Sequence, residues 1–336
     1  MLKVGIRLKT KFSIFGSSAQ FHRYPLEDVL KDDNVDYIDS LLNSKSFTHR
    51  LVGRLIREKQ FYRLAKWLLK LFVYPKTKKM LLSVDRFQQV FIYYPQHFYL
   101  IEYGFIDYVK RHSMDVKHVV YFSDVRLFLK DKIKILEHYN TIVDAYYIYD
   151  KALSVQYGIE YQPLFFSSLE AIKYDDVHYD VVYIGRAKDN LSLIHEIYRY
   201  FKTSGISVYF YLVGEIEDAM KIQSNDIVYG DGINYDQYLK KLSFSRCILE
   251  VGRTEKRIST LRVFESLQLN KRLITNVDHI ANQPYYDEKR MRLFHQAEDI
   301  DIDFVRSNEP LKPIKESHLY SPRHFLKAIE TKLFKQ

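Results

Sequence analysis

The sequence predicts an α/β protein of two domains, each a parallel sheet covered by helices. Three observations lead there. Short β-rich runs alternate with helical patterns along both halves of the chain, the rhythm of β-α-β units. Four strand candidates in the second half end directly in Gly, at Gly185, Gly214, Gly230 and Gly252. In open α/β sheets ligands bind beyond the carboxyl ends of the strands, where backbone must approach closely. Finally, 336 residues leave room for two domains at about 150 residues each.

In the first half, Val90 to Tyr94 (VFIYY), Lys117 to Phe122 (KHVVYF) and Ile142 to Ile148 read as strands. Leu100 to Arg111 and Val125 to Tyr139 read as the helices between them. In the second half, strands are expected at Tyr179 to Ile184, Ser207 to Val213, Ile227 to Tyr229, Arg246 to Val251 and Lys271 to Thr275. Leu191 to Thr203 is an amphipathic helix with Leu191, Ile194, Ile197, Tyr198 and Phe201 on one face, and Gly205 supplies its C-cap. Shorter helices are expected over Tyr235 to Lys241 and Thr260 to Leu269. A connector near Glu160 to Val177 divides the chain into domains at 1–165 and 166–315. A Pro- and charge-rich tail leads to a last helix, Arg323 to Phe334. This tail segment, 316–336, is expected to pack back on the first domain.

Composition narrows the function classes. Hydrophobic residues make up 47 % and charged residues 28 %, a globular balance that excludes disordered and collagen-like chains. The 29 Tyr and 22 Phe predict an aromatic-rich core. A single cysteine, Cys247, excludes an internal disulfide and a Cys-based zinc site. Lys and Arg exceed Asp and Glu by 51 to 42, a net charge of +9, which suits phosphate-bearing ligands or an anionic surface. The basic residues are spread along the chain without a DNA- or RNA-binding motif, so nucleic acid is not an expected partner. No stretch approaches the length of a membrane-spanning helix, and the N-terminus lacks a signal-peptide pattern. A cytoplasmic protein is expected, with peripheral contact at the inner face of the cell membrane left open.

The informative segment is Val251 to Asn276, VGRTEKRISTLRVFESLQLNKRLITN. It follows a strand and opens a helix. Arg253, Lys256, Arg257 and Arg262 crowd the helix start, and Ser259 and Thr260 offer N-cap chemistry. Free N–H groups, the positive end of the helix dipole and nearby guanidinium groups suit a phosphate. Glu265, further inside the helix, suits a pair of ribose hydroxyls. A solvated basic loop with Glu265 on the helix surface is the competing account.

This segment resembles the nucleotide-binding domain of GT-B glycosyltransferases, and more narrowly those of bacterial capsule, exopolysaccharide and lipopolysaccharide biosynthesis. The residues that carry the likeness are Thr260-Leu-Arg-Val-Phe-Glu-Ser and Asn270-Lys-Arg-Leu-Ile-Thr-Asn276, with Tyr235 to Glu250 and Tyr146 to Phe165 upstream. It covers about Val119 to Phe294. The resemblance implies two Rossmann-like domains facing across a cleft. It implies a metal-independent transferase without cofactor, moving a sugar from a UDP-sugar to a cell-surface polysaccharide or lipid-linked glycan. Glu265 would hold the donor ribose, and the amides of Ser259, Thr260 and Leu261 the diphosphate. Arg253, Arg257 or Arg262 would balance its charge. Gly185 and Arg186 would face the cleft, and residues after Tyr229 would border the base. Many relatives carry a Glu eight residues before the ribose Glu; here Arg257 stands there, which fits stabilisation of the leaving group better than sugar binding. A non-catalytic module of the same shape, binding glycan or assisting another transferase, is the alternative.

An inverting transfer needs a general base for the acceptor hydroxyl. Asp124, in Tyr121-Phe-Ser-Asp-Val at a strand end, is the first candidate and His97, in Tyr93-Tyr-Pro-Gln-His, the second. Asp124 would equally serve as a helix cap, and His97 as a surface loop residue. The Asp299-Ile-Asp-Ile-Asp303 run has the spacing of a metal motif, but reads better as solvated carboxylates on an extended segment; no metal is expected. Residues 51–73 combine an apolar stripe (Phe61, Leu64, Ala65, Leu68, Phe72) with Lys59, Arg63, Lys66 and Lys70. That composition fits an anionic membrane surface or an ordinary helix with a basic outer face.

Overall fold

The computed structural model describes residues 9–17, 23–42, 46–77, 87–112, 116–123, 136–167, 177–187, 190–252, 261–283, 285–312 and 317–334. The chain divides into two compact units, Met1–Ser167 with Leu319–Gln336, and Ser168–His318. Each holds one six-stranded sheet in which every neighbouring pair runs parallel. The fold class is therefore the α/β, two-sheet class that the alternating pattern predicts.

The first unit contains β1 (Lys9–Phe15), α1 (Glu27–Leu30), β2 (Val35–Ile38), α2 (Phe47–Arg57), α3 (Tyr62–Leu68), β3 (Phe87–Tyr93), α4 (Phe98–Glu102), α5 (Phe105–His112), β4 (Val116–Phe122), β5 (Ala145–Ile148), α6 (Lys151–Tyr157) and β6 (Glu160–Tyr161). Its strand order is β2-β1-β3-β4-β5-β6. Both faces of the sheet are covered, so Val90 to Tyr93 and Val119 to Phe122 are buried residue after residue, the signature of a parallel sheet under helices. Aromatic rings fill the space: Phe15 stacks on Tyr93 at 5.0 Å, and Phe165 on Phe325 at 4.9 Å. The single helix expected over Leu100 to Arg111 is instead two, α4 and α5. Gly104 between them has φ +82°, a left-handed turn that breaks the helical path and that glycine adopts without a Cβ clash. The helix expected from Val125 lies largely outside the described residues.

The second unit contains β7 (Tyr179–Arg186), α7 (Leu191–Thr203), β8 (Val208–Val213), β9 (Ile227–Gly230), α8 (Tyr235–Ser243), β10 (Ser245–Glu250), α9 (Leu261–Gln268), β11 (Arg272–Thr275), β12 (Met291–Leu293) and α10 (Ile302–Arg306). Its order is β12-β11-β10-β7-β8-β9. α7 buries Ile194, Ile197, Tyr198 and Phe201 against the sheet, the face its periodicity marks. α9 terminates at Asn270, φ 51°, where Asn takes the left-handed conformation commonly given to Gly; its Oδ1 accepts from Arg290 at 3.0 Å.

Asp299 and Asp301 do not lie on an extended segment. The Asp299 carboxylate accepts from the N–H groups of His295 and Gln296, and Asp301 caps α10 by accepting from the Phe304 N–H at 2.9 Å. Backbone donors hold the two side chains in separate turns. The chain ends in α11 (Pro322–Phe334), part of the first unit. Phe325, Leu326 and Ile329 join that unit's core, Arg323 forms a two-pronged pair with Asp32, and Glu330 accepts from Thr10 at 2.6 Å. Among the described residues no helix is long and apolar enough to cross a membrane.

Candidate functional site

Strand order points to a candidate site. In the second unit the chain lays down β7, β8 and β9 to one side, then crosses back to place β10, β11 and β12 on the other. The order reverses between β7 and β10, and the crevice beyond the carboxyl ends of such a strand pair is where open α/β sheets bind ligands. β7 ends in Gly185 and the exposed Arg186, paired with Leu212 and Val213 of β8. β10 ends in Glu250, and Gly252 follows, its N–H donating to Asn276 Oδ1 at 2.6 Å. α9, which carries Leu261, Arg262 and Glu265, is the next described element after β10.

A buried polar cluster sits behind this edge. Arg262 donates through Nη2 to the Ile184 carbonyl and lies 5.2 Å from the Tyr183 ring centroid. A Cβ on Gly185 would collide with that guanidinium. Glu265 is 3 % exposed. One of its oxygens accepts from the Tyr235 hydroxyl at 2.7 Å and the other from the Tyr238 hydroxyl. Glu250, fully buried, accepts from Thr275 Oγ1 at 2.7 Å. Buried charges need partners, and these supply one another. Burial drives the Glu265 carboxyl above the ordinary Glu range, opposed by the two tyrosine hydroxyls and by Arg262. Burial also works against the Arg262 charge, but Tyr238, Tyr183, Glu250 and Glu265 outweigh it and hold the group protonated. Arg262 is thus engaged by the Ile184 carbonyl and the Tyr183 ring, whereas the sequence suggests a group turned to a phosphate.

Tyr229, in β9, has its hydroxyl engaged by the Ile222 N–H at 2.7 Å and by His195 Nε2 at 3.1 Å. Arg253, Arg257, Ser259 and Thr260 lie outside the described residues, as does Asp124. The sequence reading overlooked Tyr183, Tyr235, Tyr238, Glu250 and Thr275. Two signals were present: Tyr235 and Tyr238 are three apart, on one face of α8, and Glu250 is a lone carboxylate closing the apolar run Cys247-Ile-Leu.

The first unit has a reversal of its own, between β1 and β3. His97, in the turn after β3, is there, and it is buried, not a surface loop residue. Its Nε2–H donates to the Gly16 carbonyl at 2.5 Å and lies 3.2 Å from the Asp39 carbonyl, so it ties the segments after β1, β2 and β3 together. Those bonds place the proton on Nε2 and leave Nδ1 as the acceptor; Nδ1 is itself buried and has no hydrogen-bond partner among the described residues. Burial pushes the His97 pKa down, partly offset by the two carbonyls.

No family model and no curated protein sequence matches the chain. Solved structures do. An α-glucosyltransferase in complex with UDP-glucose and DNA containing an abasic site matches with a TM-score of 0.50 and 11 % identity, over 97 % of this chain and 90 % of that one. The glycotransferase of kitacinnamycin gives 0.49 and 10 %, over 97 % and 100 %. The β-glucosyltransferase of T4 phage gives 0.48 and 14 %, over 97 % and 100 %. The fold is GT-B. At such identities the likeness is one of backbone architecture, and the chemistry has to be argued from the site.

Proposed function

We propose that the chain is a glycosyltransferase that takes a sugar from a UDP-sugar and passes it, without a metal, to a polysaccharide or lipid-linked glycan. The observation that carries the reading is the convergence of Gly185, Arg262 and Glu265 on the β7/β10 reversal. A ribose diol would bring two O–H donors to Glu265, the same kind of donor that Tyr235 and Tyr238 now bring. The amides of Ser259, Thr260 and Leu261 would receive the diphosphate, with Arg253 and Arg257 beside it. Gly185 and Arg186 would border the sugar side, and Tyr229 the base. Negative charge grows on the departing diphosphate, and oriented dipoles and guanidinium groups stabilise it there. The acceptor hydroxyl loses its proton to Asp124, the first candidate, or to His97, the second. The non-catalytic alternative rests on Arg257, which stands where many relatives have a Glu.

Stabilisation by UDP and UDP-sugars in a thermal shift assay tests the donor site. Tyr235→Phe and Tyr238→Phe are expected to lower stability by about 1–3 kcal/mol each, since each leaves a buried carboxylate oxygen short of a donor, and to tighten UDP binding by removing a competitor. Glu265→Ala is expected to weaken it, and unchanged UDP affinity in Glu265→Ala would overturn the ribose assignment. Donor hydrolysis separates an enzyme from a binding module. Lipid-linked glycan, free oligosaccharide and duplex DNA are the acceptors to compare, DNA because a glucosyltransferase of this fold is seen with it.

A further inference from the structure

The first unit carries a surface that its internal packing does not explain. Residues 46–77 form α2, α3 and the π-helical turn Leu69–Val73 that continues α3. They hold eight Lys and Arg against one acidic residue, Glu58. The inner faces are accounted for: Val52, Leu55, Ala65, Leu69 and Val73 are buried. The Tyr62 hydroxyl donates to the Glu102 carbonyl at 2.8 Å, and the Tyr103 hydroxyl to the Ile56 carbonyl at 3.3 Å. These bonds pin α2 and α3 to the segment around α4.

The outer face is different. Eight of the eleven large apolar side chains exposed among the described residues belong to this segment, with Phe47 73 % and Trp67 56 % exposed. Along α3 and its continuation, Phe61, Leu64, Trp67 and Leu71 recur at three- and four-residue steps, one stripe of a helix. Cations interrupt it at close intervals, Arg63 beside Leu64 and Lys70 beside Leu71, both exposed.

We propose that this face seats the protein on an anionic lipid bilayer. A protein partner would have to bury Arg63 and Lys70 to reach the apolar stripe, and interface cores are depleted in charge. A nucleic acid would take the cations and leave Leu64, Leu71 and Phe72 in water. A bilayer surface takes both at once: apolar side chains enter the headgroup–acyl boundary by about 5–10 Å while cationic stems reach back to lipid phosphates. The proposal depends on the first unit alone and holds whether or not the second unit binds a nucleotide.

Trp67 is the only Trp of the chain, so intrinsic emission reports from this face. The experiment uses the full chain with phosphatidylcholine vesicles, with and without phosphatidylglycerol. With phosphatidylglycerol, Trp67 emission is expected to shift to the blue and to be quenched by brominated acyl chains; with phosphatidylcholine alone both effects are weak. Arg63→Gln and Lys70→Gln are expected to lower the vesicle partition constant about fivefold each, and Leu64→Ser with Leu71→Ser to remove insertion. All four positions are exposed, and a melting temperature equal to that of the unaltered chain checks that the fold is kept. No blue shift with anionic vesicles overturns the proposal. So does a shift that tracks protein concentration without lipid, which marks a second copy, or one seen with duplex DNA and not with vesicles. Loss of the nucleotide reading would show separately, as absent stabilisation by UDP with vesicle binding intact.

Discussion

The Arg262 guanidinium donates to the Ile184 carbonyl, 78 residues away in sequence, and so occupies the space that a side chain on the next residue, Gly185, would need. One contact thereby joins the start of α9 to the end of β7 and makes glycine the residue that fits at the strand end. It also keeps the cation within electrostatic reach of Tyr238, Tyr183, Glu250 and Glu265.

Gly185→Ala is expected to displace the guanidinium and destabilise the protein by about 1–3 kcal/mol. Arg262→Met leaves two buried carboxylates without their cation, at a cost of about 3–5 kcal/mol. In the Arg262→Met background the alanine should cost much less than alone, because the clash is gone. Urea denaturation midpoints measure this, and strictly additive effects would contradict the contact.

Glu265→Gln tests the buried carboxyl through pH. The folded-state pKa lies above the ordinary 4.5, with burial the leading cause. Between 4.5 and the raised value the folded chain binds more protons than the unfolded one, so stability falls as pH rises through that window. The unaltered protein is therefore expected to lose melting temperature relative to Glu265→Gln as pH climbs from 4.5. A difference that stays flat with pH would exclude a raised pKa.

His97 carries the opposite sign. Its folded pKa lies below 6.5, burial again leading. Below 6.5 the unfolded chain takes up a proton that the folded chain refuses, so stability falls with falling pH until the folded value is reached. His97→Gln is expected to flatten this acid limb. In a transfer assay it should abolish turnover and leave UDP binding intact if Nδ1 is the base; unchanged turnover would leave His97 only its bonds to Gly16 and Asp39.

Much of the second unit was legible in the chain, and the reasons are local. α7 was marked along its length by its apolar stripe and at its C-terminal end by Gly205, whose φ is +67°. β7, β8, β10 and β11 were short apolar runs bounded by turns. In the first ninety residues the helical stripe over 51–73 was legible, but the strands were not. β1, KTKFSIF, mixes charge with apolar residues, and β2, VDYI, is four residues long; neither has a period strong enough to stand out. The break between α4 and α5 was visible as Gly104, but a lone Gly inside a helical pattern is often tolerated.

The site divides in the same way. Residue types near α9 pointed to anionic chemistry, yet nothing local indicated that Tyr235 and Tyr238 hold Glu265, or that His97 joins the segments after three strands. Composition and periodicity settle which stretches become strands and helices, since a backbone conformation with period 2 or 3.6 is chosen by neighbours a few residues away. Which strand lies beside which is another matter. Apolar parallel strands are close to interchangeable as partners, and their order follows from crossovers and packing that join residues far apart in the chain. That order creates the β7/β10 and β1/β3 reversals, and with them the positions of Gly185, Arg262, Glu265 and His97.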